Sequence, residues 1–245
     1  MSGKRFDVRR RVEDAMRKVV PASEKKRLQK ALDSKSIVSI PDTRILPAPP
    51  AYHSPTQQPQ CQINVLQCDT WQCVALLQTQ CAVDRVLVLD FASDTNAGGG
   101  WLGGQQGTQE EHLCRTSSLG LQLESVQDSA YPVNMFGAIY IPQVFVFDVA
   151  SPFWCSVVAA ALRGGGGASK EYLQQKIDGV FRVLIAYGHR VLILGAWGCG
   201  AFGTDADEVA ACFKTILKCY EHCLDYVVFA IKGKIQFKVF SEVFL

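Results

Sequence analysis

Val86-Leu87-Val88-Leu89-Asp90-Phe91-Ala92 runs into a loop that carries Gly98-Gly99-Gly100 and, after eight intervening residues, Gln109-Glu110-Glu111. A short apolar run bounded by turn residues reads as a strand buried on both faces, the kind found in parallel sheets covered by helices. Three successive glycines let a backbone pass close to a ligand and take φ values that other residues resist. Two adjacent carboxyls a short loop away can hold different protonation states, as general acid–base chemistry requires. The combination suits a sugar-phosphate substrate whose bond is cleaved by proton transfer.

Working outward, strand and helix patterns alternate. Residues 62–67 read as a strand and 69–80 as a helix capped by Asp69 or Thr70. Beyond the acidic pair, 109–123 reads as largely helical, and 138–141 and 157–162 as strands. An amphipathic helix over 170–187 buries Leu173, Ile177, Val180, Phe181, Leu184 and Ile185 and is closed by Gly188. A buried strand at 190–194, a helix at 205–223, a strand at 226–231 and a short helix at 237–244 follow. The expected class is α/β: a three-layer α/β/α domain around a mixed, mostly parallel sheet.

An N-terminal helical extension precedes it. Val8, Val12, Met16, Val19, Val20, Leu28 and Leu32 fall at helical spacing, interrupted by Pro21, with Ser23 as the expected N-cap of a second helix. Six of the ten prolines lie within 41–60, and Ile45-Leu46-Pro47-Ala48-Pro49-Pro50 reads as an extended surface connector. The boundaries are 1–60 for extension and connector and 61–245 for the main domain.

Composition sets limits. A chain of 245 residues, 48% hydrophobic, suits one large domain with an extension. The best apolar run, Phe153 to Leu162, is too short to span a bilayer, and the charged N-terminus does not read as a secretory signal. Ten cysteines sit inside apolar patterns, without a CxxC pair or zinc-like spacing; Cys212, Cys219 and Cys223 share one helical pattern as buried thiols. The expectation is a reducing, intracellular setting, with no structural metal and no cofactor. Net charge is +2, but residues 1–35 carry twelve Lys/Arg against five Asp/Glu, or +7, which leaves −5 for the remainder. Arg9-Arg10-Arg11 and Lys25-Lys26-Arg27 read as solvated helix faces, with an address signal or an anionic-polymer contact as the alternatives.

A second loop, Gly195-Ala196-Trp197-Gly198-Cys199-Gly200-Ala201-Phe202-Gly203, also follows a buried strand and precedes a helix. Its backbone N–H groups and the helix end beyond it suit a pyrophosphate, and Phe202 offers a stacking surface for a sugar or base. Tight turns alone explain many such loops.

These motifs together resemble the microbial-type poly(ADP-ribose) glycohydrolases, whose catalytic domain is a macrodomain. The family signature is a GGG followed shortly by QEE, and Leu89-Asp90-Phe91-Ala92-Ser93 before it and Leu113-Cys114-Arg115-Thr116-Ser117-Ser118 after it match as well. The 195–203 loop resembles the family's pyrophosphate loop. The sequence departs from the family at Asn96-Ala97, where Asn-Pro is common, at Asp90, where Asn is common, and near 160–167, where a family Asn is not evident.

The resemblance implies a metal-independent hydrolase of the ribose–ribose O-glycosidic bond in poly(ADP-ribose). It makes Glu111 the catalytic acid, with Glu110 and Asn96 holding ribose hydroxyls. Gly98, Gly99 and Gly100 would pass close to sugar and diphosphate, and Gln109 would orient the scissile ribose or its neighbour. Gly198, Cys199, Gly200, Ala201, Phe202 and Gly203 would contact the diphosphate, and Asp69 would accept from the adenine amino group. Plainer readings stand beside these: Glu110 and Glu111 as solvated first-turn residues, Asn96 as a turn residue, Asp69 as a helix cap. His112, His189 and His222 read as structural. The expected partners are poly(ADP-ribose) or an ADP-ribosylated substrate, with ADP-ribose as product, no membrane, and a monomeric chain. A glycohydrolase acting on a single attached ADP-ribose and a non-catalytic ADP-ribose binder are the rival functions; the binder would not need paired carboxyls.

Overall fold

The computed structural model describes residues 2–50, 61–81, 85–103, 107–163 and 167–245. Its elements run α1 (Ser2–Val19), α2 (Lys25–Ala31), β1 (Val38–Ile40), β2 (Gln62–Leu66), α3 (Thr70–Cys81), β3 (Val86–Phe91), α4 (Gln109–Thr116), α5 (Leu119–Glu124), α6 (Gln127–Ala130), β4 (Ala138–Val146), β5 (Phe153–Ala160), α7 (Lys170–Ala186), β6 (Val191–Leu194), α8 (Ala206–Leu217), β7 (Tyr226–Ala230) and α9 (Lys234–Phe244). Seven strands form a mixed sheet in the order β1-β4-β5-β3-β6-β7-β2, with helices on both sides. The chain divides into two compact units, Met1–Pro41 with Asp90–Ala161, and Asp42–Leu89 with Leu162–Leu245.

The second of these holds the parallel strands. β3 pairs with β6, β6 with β7, and β7 with β2, all parallel. Val86, Leu87 and Val88 face Val191, Leu192 and Ile193 in register, and all six are buried. That explains their unbroken apolar run: a strand covered on both faces has no water-facing side on which to alternate. α7 starts at Ser169, whose Oγ accepts from Tyr172 N at 3.2 Å, and stops at Gly188, which takes φ +70°. Phe213, Phe229 and Phe240 are fully buried and pack α8, β7 and α9 together.

The first unit holds the antiparallel strands β1-β4-β5. β1 is absent from the sequence reading because it is only three residues long, with two of them exposed. β4 runs on to Val146 rather than ending at Ile141. Pro142 signals a stop in sequence, but a register shift between Ile141 and Val144 accommodates it, and Ser156 Oγ donates to Pro142 O at 2.8 Å. β5 likewise starts earlier and ends at Ala160. The helix expected over 109–123 is broken at Ser117, which is extended, bridges Val146, and turns its Oγ back to Leu113 O at 2.7 Å.

The N-terminal helices belong to this unit. Val12, Met16, Val20, Leu28 and Ala31 are buried; Val19, which was read on the same helical spacing, is 40% exposed. Gln122 is completely buried, and its Nε2 donates to Ala31 O at 2.9 Å and Gln143 O at 2.8 Å, joining α2, α5 and β4. Ser23 is not a helix cap: it lies inside a 3-10 turn, Ala22–Glu24, and α2 starts without a side-chain cap.

The helix expected over 205–223 ends at Leu217, and a separate 3-10 turn holds Glu221–Cys223. Cys212 and Cys223 are buried as expected, but Cys219 is exposed. Leu46 is extended, as the connector reading requires; residues 51–60 and three of the glycines at 164–167 lie outside the described residues. No helix among the described residues is long and apolar enough to cross a membrane.

Candidate active site

The loop after β3 is shaped by its glycines. Gly98 and Gly99 take φ of +71° and +58°, conformations that side chains with a Cβ resist. A Cβ on Gly98 would stand 2.4 Å from Trp101 Cδ1, and one on Gly99 would stand 2.8 Å from Glu110 Oε2. Trp101, fully buried, anchors the loop, and α1 packs on the 3-10 turn Trp101–Gly103. Side chains hold it from two sides. Arg115 Nε donates to Trp101 O at 3.1 Å, while Gln127 accepts from Ala97 N at 2.7 Å and donates to Thr95 O at 3.2 Å.

Glu111 is 5% exposed, so it is not a solvated first-turn residue. Thr108 and Glu111 form a capping box at the start of α4, each side chain accepting the other's backbone N–H. Glu111 Oε2 accepts from Thr108 N at 3.3 Å, and its Oε1 accepts from Gly100 N at 3.2 Å. The carboxyl is thereby fixed between the helix start and the last glycine of the triplet. Glu110 is 3% exposed. Its Oε2 accepts from Ser93 N at 2.8 Å, and the Gly98 backbone also donates to it. Gln109 Oε1 accepts from Phe91 N at 2.9 Å, tying α4 to the end of β3. Asn96 is an exposed turn residue: its O accepts from Gly99 N at 3.0 Å and its Nδ2 donates to Thr95 Oγ1 at 3.2 Å.

Near Glu110 lies Asp90, which the sequence marks only as a departure from the family's common Asn. Asp90 is 0% exposed, and among the described residues neither of its carboxyl oxygens has a hydrogen-bond partner. Glu110 Oε1 and the Tyr131 hydroxyl are likewise buried without partners among the described residues. Burial holds the Asp90 carboxyl well above the usual carboxylate range. Burial also raises Glu110, and the Asp90 charge adds to it. The Tyr131 phenol is pushed up by burial first and then by Glu110 and Asp90. The pair therefore holds protons where ordinary carboxyls are ionised. The signal was present in sequence as a lone carboxyl inside the apolar run Val86–Phe91.

In the other unit, the loop after β6 takes positive φ at Gly198 (+78°) and Gly203 (+64°). Turn hydrogen bonds use the N–H groups of Trp197, Cys199, Gly203 and Thr204. Among the described residues, those of Gly198, Gly200, Ala201 and Phe202 make none. Phe202 is 36% exposed. The helix end beyond the loop does not offer the free donors expected of it. Asp205 Oδ1 accepts from Asp207 N at 2.9 Å and Glu208 N at 3.0 Å, and the acids of that first turn oppose an anion. Asp69 acts as a cap: its Oδ1 accepts from Gln72 N at 2.9 Å, and its own N donates to Gln72 Oε1 at 3.2 Å. His189 Nδ1 lies 2.7 Å from Arg85 O, and His222 Nε2 lies 2.9 Å from Pro50 O.

A buried carboxyl pair on a glycine loop, at the end of a sheet strand in an α/β fold, suits the chemistry of glycosidic-bond hydrolysis. The model of the microbial-type PARG catalytic domain matches residues 2–148, more than half of the chain, and the chain belongs to that family of poly(ADP-ribose) glycohydrolases. Among solved structures it is similar to the poly(ADP-ribose) glycohydrolase of Thermomonospora curvata, with 24% identity, all of both chains covered and a TM-score of 0.81. The same protein bound to the inhibitor ADP-HPD matches at 23% identity, 99% of each chain and a TM-score of 0.76. The Deinococcus radiodurans enzyme in complex with ADP-ribose matches at 23% identity, 91% of this chain and 92% of that one, with a TM-score of 0.67. These likenesses establish the fold. Among curated proteins nothing matches the chain.

Proposed function

We propose that the chain cleaves the ribose–ribose O-glycosidic bond of poly(ADP-ribose), releasing ADP-ribose, with Glu111 as general acid and then general base. The observation that carries this reading is the fixing of Glu111 between Thr108 N and Gly100 N on a glycine loop. Glu111 gives a proton to the leaving ribose oxygen as the bond from C1″ breaks and the sugar becomes oxocarbenium-like. A water then adds to C1″, and its proton returns to Glu111, so the carboxyl ends as it began. Glu110 supports the reaction by holding the loop through Ser93 N and acts on the hydroxyls of the same ribose, with Asn96 at the loop surface. Gln109 orients the scissile ribose through its place at the end of β3.

The backbone N–H groups from Gly198 to Phe202, with Cys199 and Gly203 setting the turn, are assigned to the diphosphate. Phe202 is assigned to a sugar or base face. Asp69 Oδ1 serves the helix cap, so an adenine amino group falls to Oδ2. We infer an intracellular setting and a monomeric chain; the described cysteines are free thiols.

The test is turnover of purified chain, without added metal, on poly(ADP-ribose) and on protein carrying a single ADP-ribose. Release of ADP-ribose from the polymer supports the reading. Release only from the singly modified protein assigns the rival glycohydrolase, and binding of ADP-ribose with no release from either substrate assigns a binder.

A further inference from the structure

Gln127, the first residue of α6, reaches the loop that carries the glycine triplet and lies outside the residues assigned to the substrate. Its side-chain amide is used at both ends: Oε1 accepts from Ala97 N at 2.7 Å, and Nε2 donates to Thr95 O at 3.2 Å. A backbone N–H only donates and a carbonyl only accepts, so one amide serves both, where a carboxylate serves only the first. Close by, Val133 N donates to Asp94 O at 2.7 Å. The segment after α5 therefore grips the loop at 94, 95 and 97.

The gripped residues lead into a turn. Gly99 N donates to Asn96 O at 3.0 Å, Gly98 in the third position takes φ +71°, and Ala97 in the second does not take positive φ. That is a type II turn, whose second position favours proline because the ring presets the φ required. Ala97 has no ring, but it keeps an N–H, and Gln127 takes that N–H. Beyond the turn, Gly100 N donates to Glu111 Oε1 at 3.2 Å.

We propose that Gln127 is a positioning residue, whose amide bracket holds the Asn96–Gly99 turn in the form a proline would impose and so sets Gly100 N on Glu111. The inference rests on the reading of Glu111 as the acid. Without the bracket, the Ala97 backbone visits other φ values and the Glu111 carboxyl loses a fixed donor. The reaction step slows, while the diphosphate loop, which the bracket does not touch, keeps its hold.

The test places Gln127→Ala in the full chain, alone and on top of Ala97→Pro, which imposes the turn without the bracket. kcat and KM on poly(ADP-ribose) and amide hydrogen exchange at Gly99 are measured for the unmutated protein and the three variants. Loss of two neutral hydrogen bonds should lower kcat roughly tenfold in Gln127→Ala, with KM nearly unchanged, and should speed Gly99 exchange by a similar factor. In the Ala97→Pro background the same substitution should cost less than about threefold in each. If Gln127→Ala alone does not fold, a folded and active double variant is the same rescue. Equal losses in both backgrounds, or no loss of kcat in either, overturn the proposal. Exchange reads the turn without substrate. Unmutated protein that leaves the polymer intact, yet shows the exchange pattern, overturns the glycohydrolase reading and keeps the bracket.

Discussion

Gly99 and Glu110 meet with no room for a methyl group: a Cβ on Gly99 would stand 2.8 Å from Glu110 Oε2, the oxygen that accepts from Ser93 N. Gly99 also takes φ +58°. Gly99→Ala therefore carries a left-handed backbone penalty of roughly 1–2 kcal/mol, and it also displaces the carboxyl. Both thermal stability and turnover should fall. Gly103→Ala is the matched control, because nothing among the described residues lies within 4 Å of the added atom. Thermal melts and turnover of the two variants check this, and equal behaviour would contradict it.

Asp90 and Glu110 give the fold a pH dependence with a definite sign. Both carboxyls are raised in the folded protein, chiefly by burial, so the folded state binds more protons than the unfolded chain. Their contribution to stability is full below the ordinary carboxylate range, falls as pH rises, and is lost once pH passes the raised folded values. Asp90→Asn removes one of the two charges. At alkaline pH the variant should melt higher than the unmutated protein by roughly 2–8 °C, from about 1–2 kcal/mol of relieved burial at ~2–4 °C each. The difference should shrink in mild acid. Melting curves across pH measure it, and parallel curves would contradict it.

The diphosphate assignment rests on loop backbone that the fold leaves open. A Cβ on Gly200 meets nothing within 4 Å, so Gly200→Val should fold normally and weaken ADP-ribose binding by obstructing the approach. Phe202→Ala should cost about 1 kcal/mol of lost stacking, roughly a fivefold weaker affinity. Calorimetry with ADP-ribose checks both; unchanged affinity in both folded variants would place the diphosphate elsewhere.

Basic charge at the N-terminus divides into two kinds. Arg9, Arg10 and Arg11 each pair with an acid one helical turn away, at 3.0, 3.8 and 2.8 Å. Lys25 and Lys26 are exposed. Lys25→Gln with Lys26→Gln leaves the packing of Val12 and Met16 intact, which deletion of the helices would not. The double variant should bind long polymer less tightly at low salt, where screening is weakest, and turn over a short substrate normally. Binding with the same salt dependence as the unmutated protein would leave the helices a packing role only.

The strands and helices that hold the site were legible because burial on both faces writes itself as an unbroken apolar run, as in β3 and β6, and because α7 carries an amphipathic period and its stop at Gly188. β4 was cut short at Pro142, where a bulge absorbs the missing N–H, and β1 was too short and too exposed to show a period. Glu110 and Glu111 were legible as a motif, but not the backbone N–H groups that fix each carboxyl, Ser93 for one, Gly100 and Thr108 for the other. Asp90 was visible only as a departure, since its significance lies in its lack of a partner. Val19 and Val20 are adjacent on a helix, and periodicity alone does not decide between neighbours at the edge of an apolar face.

Glu111→Gln tests the central claim most directly. The amide keeps the shape but cannot release the proton, and it can no longer accept through both oxygens, so ADP-ribose calorimetry must accompany the rate. The account predicts a loss of poly(ADP-ribose) hydrolysis of about 10²–10⁴-fold, with ADP-ribose affinity nearly unchanged. Full hydrolysis in a variant that still binds ADP-ribose would contradict it.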